Sequence, residues 1–514
     1  MGSDDIIDHN KRGAEYALQG KHQQALAEFS RAIVRRPDDA TAYYNRALIY
    51  RKLSDFARAL NDFDQALQLR PDYVITYYQR GITHYMLGEQ RRAIKDFSMT
   101  LMLKPGDIQA LVGRGISYLA LEEYEQAILN LDKAIAQDPE QAGSIGAYRS
   151  RGQAHAALKK IDRAISDFER ALLFYPDDII ILNRLGAAHT DNGLPRKAIE
   201  HYNEALKLSP TVAFTYNNRG EAYRQLGMYV EAIADFGAAI TFDPSLAIIY
   251  YNRGISYACS KQPIQALIDY NQALTLDPSL INIYKDRAEI YYGLKRFQEA
   301  IEDYNQVLRR NPDDALATFY RGTLALHLNQ PQQALEDFNR VIVLLPDFAC
   351  AYNNRGEAHL RLHNIERARE DCHRSWQLDT SHVDHGWMAQ WVDMCLNGPD
   401  PAMPERLEQI AQADPEDYDA YLCLGVALWL RADRQQALTK IEYAIALDEA
   451  KWGAYFWKGL ACASRRRDQE AVAMLERALE LNLPTPLLAP LHWLKHDRPD
   501  FYTRHAIPLL ERLA

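Results

Sequence analysis

The chain has 514 residues, of which 47% are hydrophobic and 25% charged, and it carries a formal net charge of −10. That composition excludes a disordered chain, and an acid excess with both signs interleaved excludes the basic stripe of a nucleic-acid surface. Six scattered cysteines without a C-x-x-C pair offer neither a disulfide framework nor a zinc site, and no apolar run reaches the ~18 residues of a membrane helix, so the expected setting is a reducing, cytoplasmic one.

The start, Met1-Gly2-Ser3-Asp4-Asp5-Ile6, has no apolar h-region, so no secretory leader is expected. Ile6 stands where a myristoylation motif needs Ser or Thr. Met-Gly-Ser is also what a cloning scar looks like, which leaves room for a longer parent protein.

From residue 6 onward one period dominates. Prolines recur at Pro37, Pro71, Pro105, Pro139, Pro176, Pro210, Pro244, Pro278, Pro312 and Pro346, in steps of 34 residues except for one step of 37. Counting the proline as position 32, position 8 is Gly or Ala throughout, as in Gly13, Ala47, Gly220 and Gly356, and position 20 is always Ala, from Ala25 to Ala368. Position 24 is aromatic in most units, for example Phe29, Phe63, Tyr202 and Phe338. Two small residues twelve apart predict two antiparallel helices that cross closely, with aromatics at 4, 11 and 24 filling the spaces beside them. The proline should end the second helix, the following Asp (Asp38, Asp72, Asp313) should cap the next one, and Gly20, Gly88, Gly193 and Gly227 should end the first.

Units therefore start at 6, 40, 74, 108, 145, 179, 213, 247, 281, 315 and 349. Three extra residues at Ala142-Gly143-Ser144 read as a longer surface loop, or as a local change of pitch. After Leu378-Asp379-Thr380 the proline is missing, and Gly398-Pro399-Asp400-Pro401 and Pro404 should shorten the next second helix. A subdomain boundary is expected near residue 383, separating a regular array (1–382) from a divergent, tryptophan-rich part (383–514) with units near 384, 418 and 452. All seven tryptophans lie in this final quarter, and a closing helix is expected through Ile507, Leu509 and Leu510.

This pattern resembles the tetratricopeptide repeat family over nearly the whole chain. The Tyr-Asn-Asn-Arg-Gly and Tyr-Tyr-Asn-Arg-Gly starts at 216–220, 250–254 and 352–356 look like its long bacterial members. The resemblance implies an all-α, right-handed α-solenoid of about 14 helix–turn–helix units, with about seven or eight units per superhelical turn and a C-terminal cap. It also implies a non-catalytic scaffold whose concave groove, lined by the first helix of each unit, binds a polypeptide segment. The alternative is the recognition or sensor portion of a larger signalling enzyme, glycosyltransferase- or NTPase-linked. Mapping the family's groove positions onto this chain gives Tyr44, Asn45, Tyr78, Asn183, Arg184, Asn217, Asn218, Glu221, Arg224, Tyr251, Asn252, Lys285, Tyr320 and Asn354. Asparagines suit an extended peptide, because one amide donates to a carbonyl and accepts from an N–H. The carboxylate clamp of chaperone-binding members is not met around Asn45 or Asn218. An RNA-binding array conflicts with the strict period and the acid excess.

No phosphate loop, nucleotide-binding fingerprint or nucleophile elbow occurs, and no catalytic residue, cofactor or metal is expected. His359 and His363 lack the glutamate of H-E-x-x-H, and His155, His189 and His359 share the position-11 slot that holds Tyr50 and Tyr118 elsewhere. His382 and His385 at the boundary read as a solvated loop rather than a metal site. Position 7 is arginine in ten units, from Arg12 to Arg355, and position 23 is acidic in nearly the same ones; where Leu185 and Leu424 replace arginine, His201 and Lys440 replace the acid. The two positions are equidistant from the turn, which predicts structural ion pairs rather than an anion-binding ladder. In the last units Trp429, Phe456 and Trp457 occupy groove positions, with Trp493 downstream. Either the chain's own end covers them, or they form an interface for a partner or a second copy.

Overall fold

The computed structural model describes residues 8–399 and 401–511. The readings on Met1–Ile6, the start of unit one at residue 6 and Asp400 lie outside them. Within that range the structure is all α, with no strand among the described residues. The chain divides into two compact units, Met1–Asp269 and Tyr270–Ala514. Within each of them, helices follow one another in packed pairs, and neighbouring pairs pack together.

In the regular stretch the first helix of a pair typically spans thirteen residues and the second fourteen, as in Ala213–Gln225 and Tyr229–Phe242. The periodic starts hold: first helices begin at Ala40, Val74, Ile108, Ile179, Ala213, Ala247, Ile281, Ala315 and Ala349. Each second helix stops two residues before its proline, for example Arg35 before Pro37 and Leu344 before Pro346. The predicted caps shift by one residue. Asp39, Asp107, Asp178 and Asp314 accept the free N–H groups of the following helix, whereas Asp38 and Asp72 do not, and Asp313 pairs with Arg340 instead. The register follows from the turn: the residue after the proline is still inside it, so the next one is first to face the helix start.

The small residues act within a pair. A Cβ on Gly220 would stand 2.9 Å from the ring of Phe236, and one on Gly186 2.5 Å from Tyr202, so position 8 lies directly on the position-24 ring of its own unit. Position 15 adopts a left-handed backbone in all fourteen units, with φ between 54° and 76°. The residue there is Gly in five of them and Ser, Glu, Lys, Asn, His, Ala or Arg in the others. The tight turn between antiparallel helices requires this conformation, which costs a non-glycine residue about 1 kcal/mol.

Two irregularities depart from the pattern. The three extra residues do not form a loose loop. They belong to a short helix, Pro139–Ser144, which Pro139 begins and Asp138 caps. Ala142 and Gly143 are buried, and Gly143 lies where a Cβ would run into the Phe174 ring. In unit twelve the first helix lengthens to Val383–Asn397, Gly398 turns with φ 74° and ψ 170°, and the second helix shrinks to Met403–Ala411, as the breakers predicted.

Beyond the last pair, Trp452–Ser464 and Asp468–Glu480, the chain turns back. A 3-10 segment, Thr485–Trp493, packs against the first helices Ala349–Arg361 and Val383–Asn397, and the end closes with the helical run 499–511. From Leu360 to Leu509 the buried apolar side chains join in one core, whereas upstream the core breaks into clusters of repeat size, such as Ala47, Ala59 and Phe63.

Candidate interaction face

Eight of the ten position-7 arginines are fully engaged, while Arg114 donates to Asn130 in place of an acid and Arg12 stands 3.9 Å from Glu28. Arg46, Arg80, Arg151, Arg219, Arg253, Arg287, Arg321 and Arg355 each donate twice to the position-23 aspartate of the same unit, at 2.5–3.0 Å. The aspartates are buried, so these are charge-assisted forks inside the helix pair. In most of them the third nitrogen reaches back sixteen residues to position 25 of the preceding unit, as in Arg46 to Ser30, Arg80 to Asp64, Arg219 to Asn203 and Arg355 to Asn339, at 2.6–3.1 Å; Arg253 finds Gly237 there and no side-chain acceptor. Tyrosines at positions 4 and 11 flank several of the guanidinium groups, for example Tyr216 and Tyr223 about Arg219. The tyrosines expected as simple spacers thus also cover a cation. Guanidinium groups held this way are unavailable to an external anion.

In the first compact unit the amides and charges of the first-helix face hold one another. Asn45 donates to Asn10 at 3.0 Å, Asn252 to Asn217 at 3.1 Å, and Asn217 to Asn218 at 3.3 Å. Arg224 forks onto Glu221, and Arg51 donates to Gln79. Tyr251 is half-buried in the same row. Tyr44 and Tyr78 lean on Phe63 and Phe97 with part of each ring accessible. Arg184 is exposed and has Arg149 for an electrostatic neighbour; desolvation, then that second guanidinium, lower its pKa. One assignment is corrected. Asn183 is only 4% exposed, and its amide donates to the Ile179 carbonyl and to Thr215 Oγ1, both at 2.9 Å. It ties two neighbouring first helices together and offers nothing to a ligand.

The second compact unit carries Lys285, Tyr320 and Asn354. Lys285 is bound to Asp314 at 2.7 Å, and Asn354 donates to Thr323 at 3.2 Å. Tyr320 is exposed and stacks on buried Tyr304. Asn354 is a shared wall of two cavities. One, of about 280 Å³, lies against Tyr320. The other, of about 330 Å³, is bounded by Glu357, Trp387, Tyr418, Lys451 and Trp452. In the second, burial pushes the Asp419 carboxyl up to about 6, and Lys451 at 2.9 Å partly opposes the shift.

Further along, the same helix positions are closed. Leu422, Val426, Phe456, Trp457 and Leu460 are completely buried and Trp429 nearly so. Trp493, half-buried, lies with ring centroids 6.0 Å from Trp429 and 6.1 Å from Trp457. Of the two readings for these residues the structure realises the covering one. Trp429, Phe456 and Trp457 are not an exposed surface, because Leu487, Leu491 and Trp493 fill the space a partner would need.

His155, His189 and His359 are buried in the position-11 slot, where desolvation lowers their pKa. His382 is bound to Asp379, and His385 is buried rather than solvated. Among the described residues no group of three or more potential ligands is placed to hold a metal ion, and no helix is long and apolar enough to cross a membrane.

Models described as tetratricopeptide repeat match residues 112–179, 285–347 and 431–482, residues 40–73 and 179–212, and residues 201–234, and one described as TPR repeat matches 13–54 and 220–258. No curated protein sequence matches the chain. Similar solved structures include the APC/C hetero-tetramer Cut9-Hcn1, at 16% identity and TM-score 0.37, covering 81% of this chain and 95% of that one. A tetratricopeptide repeat protein from Parabacteroides merdae has 19% identity and TM-score 0.37, covering 48% and 97%. YrrB, described as a TPR protein with an unusual peptide-binding site, has 22% identity and TM-score 0.33, covering 36% and 95%.

Proposed function

Because this chain belongs to the tetratricopeptide repeat family and is built as a protein-interaction scaffold, we propose that it catalyses nothing and holds an extended polypeptide segment on the face formed by its first helices. The observation that carries the reading is the chain's own end. In the last units the segment Thr485–Trp493 lies across first helices and covers their apolar positions, so this face accommodates a polypeptide within the molecule itself.

The upstream positions differ in one respect that suits an external partner: they are polar and accessible. Asn217, Asn218 and Asn252 are linked side by side, and Arg224 is fixed by Glu221. Ordering these groups before binding reduces the entropy lost on association. Spare carbonyl and N–H capacity along the row meets the alternating donors and acceptors of an extended backbone.

The test is to capture binding proteins from the source lysate with the full chain, identify them by mass spectrometry, and repeat the capture with Asn218→Ala/Asn252→Ala. The expected result is at least a tenfold loss of the captured protein, corresponding to about 1.4 kcal/mol. Undiminished capture by the double variant overturns the groove assignment.

A further inference from the structure

The cavity beside Tyr320 has a composition that selects among ligands. It lies on the first helices Ile281–Gly293, Ala315–His327 and Ala349–Arg361 and the second helix Phe297–Arg310, and four aromatic rings line it: Tyr292, Tyr304, Phe319 and Tyr320. Tyr304 is buried, and Tyr320 stacks on it at 5.8 Å with an interplanar angle of 16°. Phe319 meets Tyr320 edge-on at 5.6 Å, and the Tyr292 hydroxyl is held to His327 Nε2 at 3.2 Å. The rings are therefore fixed before anything binds. Glu289 completes the wall. Among the described residues no cation or hydrogen-bond donor meets its carboxylate. Partial desolvation on the cavity side raises its pKa, and the Asp286 carboxylate one turn earlier adds to the effect.

The geometry points to a pocket for a lysine or arginine side chain of the bound segment, with the cationic head held between the tyrosine faces and the Glu289 carboxylate. The inference rests on the reading of this face as one that holds a polypeptide. The negative faces of aromatic rings attract a cation, and a guanidinium also stacks on them. An apolar side chain would fill the space but leave Glu289 desolvated and unpaired, while an acidic one would add a third like charge beside Asp286 and Glu289. Thr323 already holds the Asn354 amide, which leaves the Asn354 carbonyl as a further acceptor in the wall.

The probes are the Nα-acetyl methylamides of arginine, lysine and norleucine, titrated into the full chain and followed by saturation-transfer NMR. The arginine and lysine probes are expected to bind roughly tenfold more tightly than norleucine. Glu289→Gln should erase that preference, and Tyr320→Ala should weaken all three probes. Glu289 and Tyr320 are both exposed, so unchanged melting curves are expected for both variants. Equal binding of norleucine, or an arginine preference that survives Glu289→Gln, overturns the inference. The capture experiment with Asn218→Ala/Asn252→Ala is a separate measurement: its failure removes the groove reading while the probe titration still reports on the pocket.

Discussion

The repeats before residue 360 and the part after it use the same helix pair and stabilise it differently. In the earlier repeats the buried apolar side chains form small clusters, such as Ala47, Ala59 and Phe63 within one pair, and the third nitrogen of an arginine stitches a pair to its neighbour. In the later part the forks disappear and tryptophans take over. Trp387, Trp391, Trp429 and Trp457 contact one another, and one apolar core runs through to the tail. The difference teaches that one scaffold supports two kinds of cooperativity: unit by unit where polar stitches link small cores, and all at once where the core is continuous. It also separates an open first-helix face from an occupied one. We propose residue 383, just past the last arginine fork on Asp371, as the subdomain boundary.

Removing the tail should produce the largest effect. A chain ending at residue 484 uncovers Trp429, Trp457 and the Leu487–Trp493 site together. The expected outcome is dye binding and self-association by sedimentation. A monomeric 1–484 chain with an unchanged melt would remove the contrast. Next in size is Trp457→Ala, which should cost about 4 kcal/mol in chemical denaturation and lower the whole C-terminal transition. Phe236→Ala should cost a similar amount, but hydrogen exchange should show the loss confined to its own repeat and the adjoining ones.

The stitches provide a third test. Arg219→Leu leaves the Asp235 carboxylate buried without its fork and should cost about 3 kcal/mol. Adding Asp235→His recreates the pairing of Leu185 with His201 found in unit six, and most of the stability should return. No recovery in the double variant would mean that the fork itself, rather than the unpaired acid, determines the loss. A smaller effect depends on pH. His155 and His359 have folded-state pKa values below the ordinary 6.5, so the unfolded chain binds protons first as pH falls. Stability is full above pH 6.5 and declines as pH drops from there through the folded values. His359→Tyr should reduce, without abolishing, the fall in melting temperature between pH 7 and 5, since the slot accepts tyrosine in Tyr50 and Tyr257 and His155 and His189 remain. The smallest expected change is a gain. Ala432→Gly relieves a φ of 66° in a turn and should stabilise by somewhat under 1 kcal/mol.

Most of the architecture was legible because a strict period converts spacing into geometry. Positions 7 and 23 lie equally far from a turn, and that alone places Arg253 on Asp269. The backward contact to position 25 went unread, because Ser30, Asp64 and Asn203 share hydrogen-bonding capacity rather than residue type. Asn183 was misplaced because position 5 faces both the groove and the next helix. Its neighbours Leu182 and Leu185 are buried, and that was the signal that it turns inward. The helix Pro139–Ser144 was hidden for another reason: six residues are too few for periodicity, and only the Asp138-Pro139 start betrays it. The aromatic cavity is not a sequence pattern at all. It gathers side chains from three repeats and both helix layers.

The offsets of the arginine stitch have a further consequence. The guanidinium bonds sixteen residues ahead in its own unit and sixteen behind in the previous one, within a repeat of 34. Excising or duplicating a whole repeat therefore brings an arginine next to a position-25 side chain again, and that side chain is an acceptor except where Gly237 stands. Where three residues were inserted, Arg151 still reaches Asp132, nineteen behind, because the acceptor's side chain and the extra helix take up the slack. An array stitched in this way can be lengthened or shortened by recombination wherever an arginine repeat follows one with a position-25 acceptor, without leaving an orphaned charge at the join.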